Sequence, residues 1–151
     1  MGSIYLIRHG QASFGADDYD VLSPTGVRQA EILGRHLAEL GISFDRCLSG
    51  DLRRQQHTAN SALEQFAAVG LPVPTLEIDS AFNEFDADAV IRALLHPITQ
   101  MPAKHAFELN WQIDNTSLTQ LKFRGREVSL ASFNSHAHLQ LLKAPDLITF
   151  R

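Results

Sequence analysis

Ile4-Tyr5-Leu6-Ile7-Arg8-His9-Gly10 decides how the chain is read. Its first four residues are aliphatic or aromatic, and Gly10 follows too soon for a helix, so the run predicts a buried strand. Gly10 takes the chain out of the sheet and leaves Arg8 and His9 at the strand's carboxyl end, the edge where open α/β sheets bind ligands. A guanidinium beside an imidazole suits phosphoryl chemistry: the fork grips anionic oxygens while a ring nitrogen attacks phosphorus. The same residues serve as well for a solvated strand-end charge and a loop histidine. The rest of the chain has to decide.

The 151 residues suit one domain with a real core, and 44% hydrophobic with 20% charged residues is ordinary for a globular chain. A net charge of −4 and a pI near 5.9 argue against nucleic acid or an anionic membrane as partner, since either needs a basic stripe. An anion site must therefore come from a few local arginines. Cys47 is the single cysteine, which excludes an internal disulfide and fits a reducing compartment; it reads as a buried apolar thiol. No signal-peptide pattern and no membrane-length apolar run occurs, so the expected location is cytoplasmic.

Gln11–Leu22 is a long polar loop carrying Asp17, Asp18 and Asp20, and a loop of this length beside a candidate site is expected to be functional. Ser23-Pro24 supplies an N-cap and a first-turn proline. Val27, Ala30, Leu33, Leu37 and Leu40 then recur at helical spacing until Gly41. Ile42–Leu48 predicts a second strand, and Asp51 the N-cap of a second helix with Leu52, Ala59, Leu63 and Phe66 on its buried face. Arg53 and Arg54 fall in that helix's first turn, beside unpaired N–H groups and the positive dipole end. Adjacent helical side chains diverge by roughly 100°, so only one arginine faces a pocket.

Thr75–Ile78 predicts a third strand. Glu84 follows between Phe82 and Phe85, an apolar setting that raises a carboxyl pKa as a general acid requires. Ala89–Leu95 predicts a short helix, and Asn115–Phe123 and Glu127–Phe133 a hairpin about Gly125 near the sheet edge.

Four segments together resemble the histidine phosphatase superfamily, in its phosphoglycerate-mutase-like branch. Leu6-Ile7-Arg8-His9-Gly10-Gln11-Ala12-Ser13 is similar to the signature around the family's phosphorylated histidine. Leu22-Ser23-Pro24-Thr25-Gly26-Val27-Arg28-Gln29-Ala30 is similar to its first helix. Leu52-Arg53-Arg54-Gln55-Gln56-His57-Thr58-Ala59 resembles its second-arginine helix, where arginine precedes Thr-Ala by four, which selects Arg54 over Arg53. Asn83-Glu84-Phe85 stands where the family has its proton-donor glutamate. The stretches Asn115–Leu121 and Asn134 to Leu139 resemble its closing strands. The resemblance implies an α/β fold, a three-layer αβα sandwich with a mostly parallel central sheet.

One family feature has no counterpart. Between Glu84 and Asn115 there is no apolar strand leading to a second pocket histidine, and neither His96 nor His105 has the spacing to replace it. Leu94-Leu95-His96-Pro97 reads as a join, so a single domain over 1–151 lacking a segment near 95–97 is the expectation.

The activity implied is hydrolysis of a phosphomonoester through a phosphohistidine on His9. Arg8 and Arg54 would hold the phosphoryl oxygens and keep the imidazole neutral, and Glu84 would protonate the leaving oxygen. Gln11 and Ser13 could add hydrogen bonds to the phosphate. No metal or cofactor is implied, and the partner is a small phosphorylated substrate or a phosphoprotein. Three rivals stand beside this reading: mutase-type transfer, a phosphate-binding member without turnover, and a metal enzyme. The last would use His136 and His138, which share one face if that segment is a strand.

Overall fold

The computed structural model describes residues 1–15, 17–83, 98–102, 104–105 and 113–150. Strand β1 (Gly2–Ile7) leads through the long polar loop into helix α1 (Pro24–Glu39). Strand β2 (Cys47–Ser49), helix α2 (Arg53–Ala68) and strand β3 (Leu76–Ile78) follow. Beyond a 3-10 turn at Ser80–Phe82, the hairpin β4 (Leu118–Arg124) and β5 (Glu127–Ser135) passes into the short helix α3 (Ala137–Gln140).

Helix α1 starts and stops where its residues dictate. The Ser23 side chain accepts the Gly26 N–H, Pro24 opens the first turn, and Gly41 closes the helix at φ +66°. Its apolar stripe is buried through Leu37, while Leu40 ends exposed as the C-cap. Leu33 and Leu37 pack with Phe66 and Leu118, and Tyr5, Ile42, Phe44 and Leu71 close around them. Helices α1 and α2 approach closely at Gly34, where a Cβ would stand 2.3 Å from the Ala62 carbonyl oxygen. Any side chain there would force the helices apart.

The sheet departs from expectation in two ways. Among the described residues the strands form two sheets, a three-stranded antiparallel one in the order β1-β4-β5 and a separate parallel pair, β2 and β3. The mostly parallel sheet expected is therefore not what the described residues form. That expectation came from the family resemblance, whereas β4 and β5 form the antiparallel hairpin expected about Gly125, at φ +60°, and β1 pairs antiparallel with β4. Secondly, β1 stands at the end of its three-stranded order, with Ile4 and Ile7 47% and 39% exposed. Periodicity identified the strand but could not reveal that, among the described residues, only β4 pairs with it. Strand β2 is also shorter than the Ile42–Leu48 expectation, because Ile42 and Phe44 pack on the core from outside any ladder.

Glu84, the helix expected over Ala89–Leu95 and the join at Leu94–Pro97 lie outside the described residues. No helix among the described residues is long and apolar enough to cross a membrane.

Candidate functional site

The strand exit is built by close backbone contact. A Cβ on Gly10 would lie 2.5 Å from the Gly26 carbonyl oxygen, and one on Gly26 would lie 2.1 Å from that of Gln11. Two glycines therefore let the turn after β1 rest directly on the first turn of α1. From behind, the loop preceding β4 fastens the exit. The Thr116 N–H donates to the Arg8 and His9 carbonyls at 3.1 and 3.3 Å, and Asn115 Nδ2 donates to the His9 carbonyl at 3.2 Å. Asn115 in turn accepts from the Thr149 hydroxyl at 2.8 Å.

His9 is 8% exposed, and its Nδ1 lies 2.6 Å from the Gly10 carbonyl oxygen. A carbonyl only accepts, so Nδ1 carries the proton and Nε2 the lone pair. Nε2 faces the Nε–H of Arg54, at 3.4 Å. Arg54 is 6% exposed, whereas Arg53 points to the surface and pairs with Asp18. The helix geometry thus separates the two arginines as the spacing required. Arg8 turns its guanidinium toward backbone, donating from Nη1 to the carbonyls of Ile113 and Phe150.

One side chain joins the strand exit to α2. The Thr58 hydroxyl accepts the Gly10 N–H at 3.0 Å and donates to the Arg54 carbonyl at 2.8 Å, and Thr58 is buried. Gly10, which orients the His9 ring, is thereby registered against the residue that faces it. The sequence carries Thr58 four residues after Arg54, but nothing in the spacing announces a bridge to Gly10.

The first turn of α2 differs from expectation. Asp51 does not cap it; the N-cap is Leu52, which has no side-chain bond to give. Asp20 of the long loop caps it instead, with Oδ2 accepting from the Arg53 N–H at 2.8 Å and Oδ1 from the Arg54 N–H at 3.4 Å. Asp20 Oδ1 also meets Arg54 Nη1 at 2.7 Å. Burial raises this carboxyl's pKa, but the backbone bonds from Arg53 and Arg54 and the Arg54 guanidinium outweigh it, leaving it below 3.8. The helix terminus read as a ready anion site is therefore already occupied by a carboxylate. Positive field toward His9 comes from the guanidinium rather than from these amides.

Gln11 is committed to the framework. Its N–H donates to Gln29 Oε1 at 2.9 Å, and its own Oε1 accepts the Ser23 hydroxyl at 2.8 Å. Ser13 sits in the loop with its N–H on the Val21 carbonyl. His57 is exposed on the outer face of α2, where with Val21, Arg53, Gln56 and Asn60 it lines a cavity of about 300 Å³ that includes neither His9 nor Arg54.

His136 and His138 do not share a strand face. His136 caps α3, and the two rings part: His136 Nδ1 lies 2.9 Å from Asp114 Oδ2, and His138 Nε2 lies 3.1 Å from the Thr116 hydroxyl. No group of three or more potential ligands among the described residues could hold a metal ion. Cys47 is half-buried, and burial together with the Glu77 charge raises its thiol pKa, which suits an inert thiol.

Comparison with known proteins shows the family and the fold. The model of the histidine phosphatase superfamily, branch 1, matches residues 4–89, and the chain belongs to that superfamily. The 2,3-bisphosphoglycerate-dependent phosphoglycerate mutase of Nitrobacter hamburgensis is 37% identical over 90 residues, which are 55% of this chain and 42% of that mutase. The chain thus matches less than half the length of such relatives. Among solved structures, the protein histidine phosphatase SixA with tungstate superposes with a TM-score of 0.63 at 13% identity, over 87% of this chain and 95% of SixA. Phosphoserine phosphatase of Entamoeba histolytica, complexed with 3-phosphoglyceric acid, gives 0.59 at 19% identity, over 92% and 100% of the two chains. The α/β fold is that of the histidine phosphatases.

Proposed function

We propose that this chain hydrolyses phosphomonoesters through a phosphohistidine on His9. The observation that carries the reading is the single ring tautomer: Nδ1–H is spent on Gly10, and the Nε2 lone pair faces the Arg54 guanidinium in a nearly closed setting. In the first step Nε2 bonds to phosphorus as the ester P–O bond breaks. The electron pair leaves on the ester oxygen, which takes a proton from Glu84. In the second step water bonds to phosphorus, the P–N pair returns to Nε2, and the water proton passes to the Glu84 carboxylate. The products are an alcohol and inorganic phosphate.

Arg54 Nε–H is placed to pass from His9 to a phosphoryl oxygen when substrate enters, and its charge opposes the negative charge gathering there. Arg8 acts as the second cation, its Nη1 held by the Ile113 and Phe150 carbonyls. Gln11 and Ser13 remain proposed phosphate donors; with the Gln11 oxygen held by Ser23, its amide N–H₂ is the group to serve. The Glu84 role rests on the superfamily membership and on the flanking Phe82 and Phe85.

The test is hydrolysis of p-nitrophenyl phosphate by the wild type and His9→Ala. The variant is expected to lose turnover entirely, and retained hydrolysis would refute the proposal. Mutase-type transfer is the second reading, favoured by the name of the Nitrobacter hamburgensis relative. Incubation with 3-phosphoglycerate separates the two, since a phosphatase releases inorganic phosphate and a mutase returns an isomerised ester.

A further inference from the structure

Two aromatic side chains stand out from a polar loop beside the site. Phe14 is 64% exposed and Tyr19 41% exposed, and their rings meet nearly edge to face, with centroids 5.0 Å apart at 72°. Tyr19 also meets the site, because the Arg54 guanidinium carbon lies over its ring, 5.3 Å from the centroid. That guanidinium is the one facing His9 Nε2, so the two rings continue outward from the place where phosphorus would sit. The loop is braced on both sides of them. Ala12 bridges Leu22, the Ser13 N–H donates to the Val21 carbonyl at 2.9 Å, Asp18 pairs with Arg53, and Asp20 caps α2.

The backbone bonds and ion pairs of this loop hold it without the Phe14 ring, and Phe14 with the outer part of Tyr19 forms a contiguous apolar patch beside the site, the kind of surface that marks a ligand contact. From this we infer that Phe14 and Tyr19 form the specificity wall of the site, and that the substrate is a phosphomonoester whose leaving group carries a planar apolar portion next to the ester oxygen. The inference rests on the reading of His9 as the phosphoryl acceptor. Such a leaving group lies along the Phe14 ring and the outer edge of Tyr19 while the phosphoryl oxygens reach Arg54. A small polyhydroxylated or carboxylated leaving group leaves both rings wet and gains nothing from them.

The experiment compares benzyl phosphate with ethyl phosphate, whose leaving alcohols are of similar acidity, in the wild type, Phe14→Ala and Tyr19→Ala. The wild type is expected to prefer benzyl phosphate in kcat/KM, and that preference falls about tenfold in Phe14→Ala and at least as far in Tyr19→Ala. A benzyl-to-ethyl ratio within twofold of wild type in both variants overturns the inference. Calorimetric binding of benzylphosphonate and ethylphosphonate repeats the comparison without turnover. If no ester is hydrolysed yet benzylphosphonate still binds preferentially through Phe14, the catalytic reading fails and the wall stands. If the phosphonates bind equally, or neither binds, the wall fails. A phosphotyrosyl peptide beside free phosphotyrosine, as a further arm, distinguishes a protein-borne aryl phosphate from a small-molecule one.

Discussion

Asp20, His9 and Tyr19 together leave the planar fork of Arg54 little freedom. Nη1 lies on Asp20, Nε on His9, and the guanidinium carbon sits over the Tyr19 ring, 5.3 Å from its centroid. An ammonium cannot satisfy that arrangement, because it is a compact point charge without a fork or a stacking face. Arg54→Ala and Arg54→Lys are therefore both expected to lower kcat for p-nitrophenyl phosphate by about 10²–10³, the scale of losing one preorganised oxyanion donor. Full activity in Arg54→Lys would show that charge alone suffices. The choice of Arg54 over Arg53 was legible in the sequence, since helical spacing allows only one to face inward and the Thr-Ala pair four residues on marks which. Asp20 was not legible. Asp17, Asp18 and Asp20 are equivalent as letters, and only the folded loop brings Asp20 onto the first turn of α2.

At the scale of elements, β1 and α2 meet through Thr58, whose hydroxyl both accepts from Gly10 and donates to Arg54. Thr58→Val keeps the shape and removes both bonds, leaving the buried Gly10 N–H without its acceptor. Denaturant unfolding is expected to show a loss of about 1–3 kcal/mol, the cost of an unsatisfied buried donor. Thr58→Ser restores the hydroxyl and is expected to recover most of it. Equal stability in Val and Ser variants would mean that the bridge contributes nothing. Helices α1 and α2 were legible because their apolar residues follow the 3.6-residue period, and β4 and β5 because they alternate about Gly125. What the alternation could not reveal is the partner of each strand, so β1 was read as buried although Ile4 and Ile7 reach water. The cap of α2 was misassigned for a similar reason, as Asp51 is adjacent in sequence and Asp20 is adjacent only in space.

Across the whole molecule, the back of the site is pinned by a histidine that must stay neutral. The Thr116 hydroxyl donates to the Asn115 carbonyl at 2.7 Å, so it accepts from His138 Nε2–H, and Nδ1 is buried with no hydrogen-bond partner among the described residues. A proton on Nδ1 would be a stranded charge. Burial, with the nearby His36 and His136 charges assisting, lowers the His138 pKa to about 4. The unfolded chain takes up this proton near pH 6.5 and the folded one only near 4, so the contribution of His138 to folding stability is fully present above 6.5 and is lost as pH falls through that window. The loss should approach roughly 3 kcal/mol by pH 4. Unfolding measured from pH 7 to 4 should show this slope in the wild type and a much shallower one in His138→Gln. Parallel slopes would exclude His138 as its source.

His9 as the point of covalent attachment is the claim on which the functional account depends, and it can be measured directly. Rapid acid-free quenching of the enzyme with ³²P-labelled p-nitrophenyl phosphate, followed by peptide mapping, should place the label on the peptide containing His9. The bond should survive alkali and break in acid, and His9→Ala should carry no label. Steady turnover with no phosphoenzyme formed, or a label that persists in His9→Ala, would contradict the account.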